Sequence, residues 1–180
     1  MLKTEQEQIY RELVGTIGGL YEAGKEESRR SGNHAQTASY WQIGRRISEL
    51  ELNGSERAPY GEQLLQKLSE DLTKQYGRGF SERNLNYMVM FSRQYRKEEL
   101  QTGLSWSQYT LLMSINETSL RRTMETKAVT DKLSFLQLKN IVKTEKGKPT
   151  VPIVSSRGLS NKRRGRRSVY RRTASGRGPW

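Results

Sequence analysis

The chain of 180 residues carries 32 Lys and Arg against 19 Asp and Glu, a formal net charge of +13 at pH 7, with one His and no Cys. That length suits one domain plus a tail, and 33% hydrophobic residues is low for a chain packed from end to end. Zero Cys excludes disulfides and thiolate-bound metals, and the lone His34 excludes an imidazole cluster or a Ser/His/Asp site, so no cofactor, metal site or catalytic residue is expected.

In chain order, residues 1 to 10 lack an apolar signal core, and no later run approaches the roughly 20 apolar residues that span a bilayer. A soluble cytoplasmic protein with no membrane partner is the expectation. Ile9, Leu13, Ile17 and Leu20, with Val14 and Tyr21 beside them, recur at three- and four-residue steps and predict an amphipathic helix. The polar run from Lys25 to Asn33 ends or extends it. Tyr40, Ile43, Ile47 and Leu50 predict a second helix, with Gly44 on its edge admitting a close neighbour, and Asn53-Gly54 stopping it. Arg45 and Arg46 fall on its wet side. After Pro59, the residues Tyr60, Leu64, Leu65, Leu68, Leu72 and Tyr76 predict a third helix, ended by Gly77-Arg78-Gly79-Phe80.

Ser81 is a good N-cap for a fourth helix, whose inward face is Leu85, Met88, Phe91 and Tyr95. Ser105-Trp106-Ser107 precedes a shorter helix bearing Tyr109, Leu112 and Ile115; Thr118 to Val129 reads as a polar helix. Ser134 caps a last segment in which Phe135, Leu138, Ile141 and Val142 face inward. Trp41 and Trp106 read as core, His34 as surface, and Glu49, Glu51, Glu70 and Asp71 as solvated partners of Lys and Arg. No strand pattern competes. The fold class is therefore mainly α, a compact helical domain followed by a basic disordered tail, with the boundary near Val142.

The third helix, its Gly-rich connection and the fourth helix have the order and length of a helix-turn-helix. A step of about 100° per residue places Arg83, Asn86, Tyr87, Arg93, Gln94 and Lys97 away from the core face. Arg and Asn form bidentate contacts with guanine and adenine edges, and a helix N-terminus beside Arg78 suits a phosphate. The DNA-contacting candidates are Arg78, Ser81, Arg83, Asn86, Tyr87, Arg93 and Lys97. A plain solvated bundle face is the competing reading. A protein-interaction or homodimerisation unit, using Tyr87, Val89 and Met90 as its patch, is another.

The charge lies at the end of the chain. Residues 1 to 142 hold 20 basic and 18 acidic side chains, whereas residues 143 to 180 hold 12 basic ones and a single acid, Glu145. With three of the four prolines and no helical apolar spacing, this segment buries too little to offset its ordering entropy. Lys162, Arg163, Arg164, Arg166, Arg167, Arg171 and Arg172, interleaved with Tyr170, form an arm suited to phosphates of DNA or RNA with little sequence preference.

The strings YWQIGRRISELE (Tyr40 to Glu51), YGEQLLQKLSEDLTKQYGRGFSERNLNYMVMFSRQY (Tyr60 to Tyr95) and LSWSQYTLLMSI (Leu104 to Ile115) resemble the N-terminal domain of YhcG-type bacterial proteins. The resemblance covers roughly Tyr40 to Val142. It implies an α-helical, DNA-binding domain that usually precedes a PD-(D/E)XK nuclease domain, with Gly77 to Leu85 as its hallmark segment. Gln108 stands where the family often has His, and Tyr76 where it often has Phe. Leu133 to Leu138 replace the usual Trp-Ser-Val-Arg-Glu-Leu, keeping the apolar positions and losing the Arg and Glu.

A PD-(D/E)XK site needs an Asp and an acidic-X-Lys pair on a sheet to hold Mg²⁺. After Val142 the only acid is Glu145, so the expectation is a non-enzymatic module truncated before the nuclease, which a partner chain could supply. Because the resemblance stops where the tail begins, two origins for the tail stay open: a selected electrostatic arm, or the translation of a shifted reading frame.

Overall fold

Ile17 of α1 (Leu2–Ser31) and Ile43 and Ile47 of α2 (His34–Asn53) are wholly buried, and the two helices pack along one another as a hairpin closed at Gly32. The computed structural model describes residues 2–32, 34–53 and 58–146, with side chains over 5–32, 34–51 and 63–145. The basic arm and the disorder expected of it lie outside the described residues. So do Gly54 and the side chains of Asn53 and Tyr60. The remaining helices are α3 (Ala58–Tyr76), α4 (Glu82–Gln94), α5 (Trp106–Leu112), α6 (Thr118–Thr130) and α7 (Phe135–Lys146). Among the described residues there is no strand.

The α1 stripe starts one residue later than the spacing implies. Ile9 is 42% exposed while Tyr10 is buried. The reason is α3, which brings Asp71 and Lys67 against α1: the Tyr10 hydroxyl donates to Asp71 Oδ2 at 2.6 Å, and Lys67 Nζ sits 4.1 Å from the ring centroid. A phenol satisfies that polar neighbour and an isoleucine cannot. Farther along, Leu13 and Ile17 join Ile43, Ile47, Leu64, Leu68 and Leu72 in one core, as expected.

α3 ends where Gly77 adopts φ 90° and its N–H bonds the Thr73 carbonyl, a conformation that favours glycine. Arg78–Phe80 then form one 3-10 turn, whose Phe80 is wholly buried against Tyr21 and Tyr76. Ser81 begins α4 as its N-cap, accepting from the Asn84 amide at 3.3 Å.

α4 packs chiefly on α2, and more lightly on α3. Gly44 makes the approach possible: a Cβ there would lie 1.8 Å from the Met88 carbonyl oxygen. This crossing also buries Val89, which a uniform helical wheel leaves on the wet side. The Tyr87, Val89 and Met90 patch therefore does not exist as a free surface. Val89 is core, and Tyr87 and Met90 are half-buried against the second core.

A second core gathers Phe91 and Tyr95 with Leu104, Tyr109, Leu112, Ile115, Met124, Ala128, Leu138 and Val142. α5 and α7 start alike. Ser105 and Gln108 form a reciprocal capping box, and Ser134 and Gln137 bond in the same two directions. Phe135, expected inside, is 42% exposed and Leu136 is 64% exposed, because α7 is buried along Leu138 and Val142, one turn farther on, with Ile141 half-buried beside them. α7 continues to Lys146, past Val142.

Candidate nucleic-acid interface

With Leu85, Met88, Val89, Phe91 and Ser92 buried, α4 turns Arg83, Asn86, Tyr87, Met90, Arg93 and Gln94 the other way. At about 100° per residue these fall within an arc of roughly 120°, and Arg83 and Arg93 stand about 15 Å apart along the axis. Arg83, Asn86 and Arg93 are exposed, as are Ser81 and Arg78 at the start of the unit. Six of the seven candidates thus lie on α4 or at its entry.

Lys97 does not. α4 stops at Gln94 because Tyr95 becomes extended (φ −124°, ψ 144°) and its ring turns inward against Phe91 and Tyr109. Lys97 lies in a separate 3-10 turn, Lys97–Glu99, and is exposed there.

The face is partly braced. Arg83 donates from Nε and Nη2 to the Tyr87 hydroxyl at 3.3 and 3.1 Å, and its guanidinium lies 5.5 Å from the ring centroid. Arg93 donates to Glu51 Oε2 at 2.6 Å, tying α4 to α2. Ser81 spends its hydroxyl as a cap yet stays exposed, so it both ends the turn and borders the N-terminal face.

Past the end of α4, a cleft of about 650 Å³ is lined by five cations, Arg45, Arg93, Arg96, Lys97 and Arg122, and two carboxylates, Glu98 and Glu99, with Trp41 and Tyr95 in its wall. The Trp41 indole donates to the Tyr95 carbonyl at 2.9 Å, satisfying an acceptor freed where the helix ends. Arg122 reaches Glu99 at 2.6 Å and Glu125 at 3.2 Å. Those bonds hold the Glu99 carboxyl below, and the Arg122 guanidinium above, their ordinary values.

Behind the cleft lies a buried polar group that the polar reading of α6 concealed. Arg121 is 8% exposed and donates to Gln94 Oε1 at 2.9 Å and to the Ile115 carbonyl at 3.2 Å. Glu125 is 3% exposed, and burial raises its carboxyl above the ordinary carboxylate range. Burial likewise pushes up the Tyr95 and Tyr109 phenols. Arg121 Nε, Glu125 Oε1 and the Tyr95 hydroxyl are buried without a hydrogen-bond partner among the described residues. Arg121 and Glu125 sit at a spacing that a surface helix would also show. Only the arrival of α4 and the turn before α6 makes them interior.

Gln108, one of the departures noted from the sequence, is buried; its amide donates to the Leu133 carbonyl at 2.7 Å, joining α5 to the start of α7. Gln137 takes the position where the resemblance implies Glu and still completes the cap. The tail cations Lys162, Arg163, Arg164, Arg166, Arg167, Arg171 and Arg172 lie outside the described residues. Among the described residues no group of three or more His, Asp and Glu is placed to hold a metal ion, and no helix is long and apolar enough to cross a membrane.

No solved structure matches this chain. An Escherichia coli (strain K12) protein named "Putative nuclease YhcG" is 41% identical over 96 residues, which are 53% of this chain and 26% of that protein. The chain therefore spans about a quarter of the curated relative it matches. The model of the DUF1016 N-terminal domain matches residues 16–146, from the middle of α1 to the end of α7. That span takes in the second core, all of the first except Tyr10 and Leu13, and the whole of α4, and the chain belongs to the DUF1016 N-terminal domain family.

Proposed function

We propose that this domain is a non-catalytic DNA-binding module of a bacterial nuclease-associated protein, with α4 presented to the major groove in the manner of a helix-turn-helix. The observation that carries the reading is the outward arc of α4. Arg83, Asn86 and Arg93 are exposed on it and have no part in either core, while the same helix is fixed from behind by Leu85, Met88 and Phe91. Arg83 suits guanine N7 and O6, and Asn86 suits adenine N6 and N7. The Tyr87 hydroxyl holds the Arg83 guanidinium along the helix before any ligand arrives, which lowers the entropy lost on contact. Arg78, the α4 N-terminus and Lys97 suit backbone phosphates. The name of the Escherichia coli relative supports the nuclease setting. The basic tail adds attraction for DNA and RNA that is blind to sequence.

The test uses the full chain with the seven tail cations changed to Gln, and a 30-base-pair duplex over a range of salt. Changing Arg83→Ala together with Asn86→Ala should weaken binding about tenfold to a hundredfold, on the scale of lost bidentate contacts. Unchanged affinity would overturn the role of α4.

A second reading is a helical interaction or dimerisation unit, with a homodimer or a nuclease chain as partner and a tail that binds nucleic acid nonspecifically. It is favoured by the exposed apolar pair Phe135 and Leu136 at the start of α7.

A further inference from the structure

The five cations around the cleft past α4 do not share one condition. Arg45 bonds Glu49, Arg93 bonds Glu51, and Arg122 bonds Glu99 and Glu125; each of these ties one part of the fold to another or braces its own helix. Arg96 and Lys97 make no ion pair among the described residues, although Glu98 and Glu99 follow them directly. Both are exposed. Their backbone is nevertheless held firmly. On one side Tyr95 is buried, with its carbonyl bonded by Trp41; on the other, the Glu99 carboxylate accepts from the Arg96 amide and from Arg122. Two exposed cations outside any ion pair, on a fixed backbone, stand beside three paired ones, and together the five outnumber the two carboxylates of the lining, Glu98 and Glu99, which makes a net positive concave site for anions rather than a scatter of solvated charges.

Position narrows the occupant. Arg93 belongs both to the cleft and to the outward arc of α4, so the two surfaces are continuous. A polyanion lying along Arg83, Asn86 and Arg93 runs into Arg96 and Lys97 without leaving the protein. We propose that this cleft is a phosphate subsite, taking the sugar-phosphate backbone of a DNA duplex through Arg96 and Lys97, with Arg45, Arg93 and Arg122 as its wall. The subsite rests on the DNA-binding reading of α4 and extends it by naming where the strand is anchored and by which residues. Because phosphates carry no base identity, its contribution is affinity and register, and the discrimination between sequences stays with Arg83 and Asn86.

The experiment compares full-length chains carrying Arg96→Gln with Lys97→Gln, Arg83→Ala with Asn86→Ala, and Lys139→Gln with Lys143→Gln, the last pair exposed on α7. For each, duplex affinity is followed against salt, and the Trp41 indole resonance is followed on adding duplex or inorganic phosphate. Two lost phosphate contacts should lower the slope of log K against log salt by about 1.8, with the loss equal across duplex sequences. The α7 pair should leave the slope unchanged, and duplex should shift the Trp41 indole signal at concentrations where inorganic phosphate does not.

An equal fall in slope from the α7 pair would mean delocalised attraction and would overturn the subsite. Trp41 shifts by inorganic phosphate at the same concentrations as duplex would make it a site for small phosphates instead, and would overturn the duplex assignment. No change from the Arg96 and Lys97 pair, with binding lost on changing Arg83 and Asn86, would remove the subsite and leave the α4 reading standing. The reverse pattern would keep the subsite and remove the α4 reading.

Discussion

Leu85, Met88 and Val89, in the first half of α4, are covered mostly by aliphatic side chains: Ile43 and Ile47 of α2, Leu64, Leu68 and Leu72 of α3. Phe91, in the second half, and Tyr95, just past its end, meet Tyr109 and Trp106 edge-on or tilted at 4.7 to 5.3 Å, with buried Arg121, Glu125 and Gln108 close by. One helix thus bridges a core held by shape and a core threaded with hydrogen bonds. The difference assigns them different work. The first core fixes where α4 lies, and the second, through Gln94, Arg121, Arg122 and Glu99, fixes where the cations past its end stand.

The largest break should come where the two cores join. Phe91 is wholly buried and touches Tyr95, Trp106 and Tyr109, so Phe91→Ala removes a ring from the aromatic core and should cost about 4 kcal/mol in urea unfolding. A single cooperative transition that moves as a whole would mean the cores unfold together; a split transition would separate them. Next, Gly44→Ala drives a Cβ into the Met88 backbone, where no side chain can yield, and should cost about 2 to 3 kcal/mol. Loss of less than about 0.5 kcal/mol would mean that α2 and α4 slide freely and that the first core does not set the position of α4.

Much of this arrangement was legible in the residues. Leu13, Ile17, Ile43, Ile47, Leu64, Leu68, Leu72, Leu85 and Met88 are all buried at the spacing of amphipathic helices, and Ser81 and Ser134 stand where caps were expected. Gly44 was legible as a close approach, but not that the neighbour at that point is the Met88 backbone, nor that the crossing buries Val89. Periodicity describes one helix against an unspecified interior. It cannot say which turn of α4 meets a glycine, that α3 offers Tyr10 a carboxylate, or that the chain leaves α4 at Tyr95 and takes Lys97 off the helix. Arg121 and Glu125 were hidden for the same reason, since an interior ion-bearing stretch and a solvated face read alike until the partner elements are placed. Of the interface, the exposed residues of α4 were found from the wheel, and the cleft formed by three separate segments was not.

The hydrogen-bonded core can be tested at its edges with smaller changes. Ser134→Ala removes the acceptor for the Gln137 amide at the start of α7 and should lower stability by about 1 kcal/mol. A change near zero would mean that water replaces the cap at no cost. The Glu125 carboxyl is a test of slope rather than of size. Burial raises it in the folded state above its ordinary value of 4.5, so the folded chain binds that proton more tightly than the unfolded chain. Its contribution is therefore full below about 4.5 and is lost as pH rises through the higher folded value. Glu49 and Glu99 are lowered instead, and contribute in the opposite sense, losing their effect as pH falls below the ordinary range. Glu125→Gln should abolish the decline in stability on the alkaline side of 4.5 and leave the acid limb intact. A decline that persists unchanged in this variant would place its origin elsewhere.

The smallest effect is expected at Leu136, outside both cores. At 64% exposed, its side chain gains little from the fold, so Leu136→Arg should alter the unfolding free energy by less than about 0.5 kcal/mol. That neutrality makes it a clean probe of the interaction reading, because a change in association cannot then be blamed on unfolding. If Phe135 and Leu136 form a contact between copies of the chain, placing a guanidinium on that patch should shift the sedimentation equilibrium toward monomer while duplex binding through α4 stays as it was. If the wild-type chain is monomeric at the same concentrations, and Leu136→Arg changes neither mass nor stability, the two exposed residues are only the uncovered first turn of α7. The outward functions of the domain then rest on the charged surface that begins at Arg83.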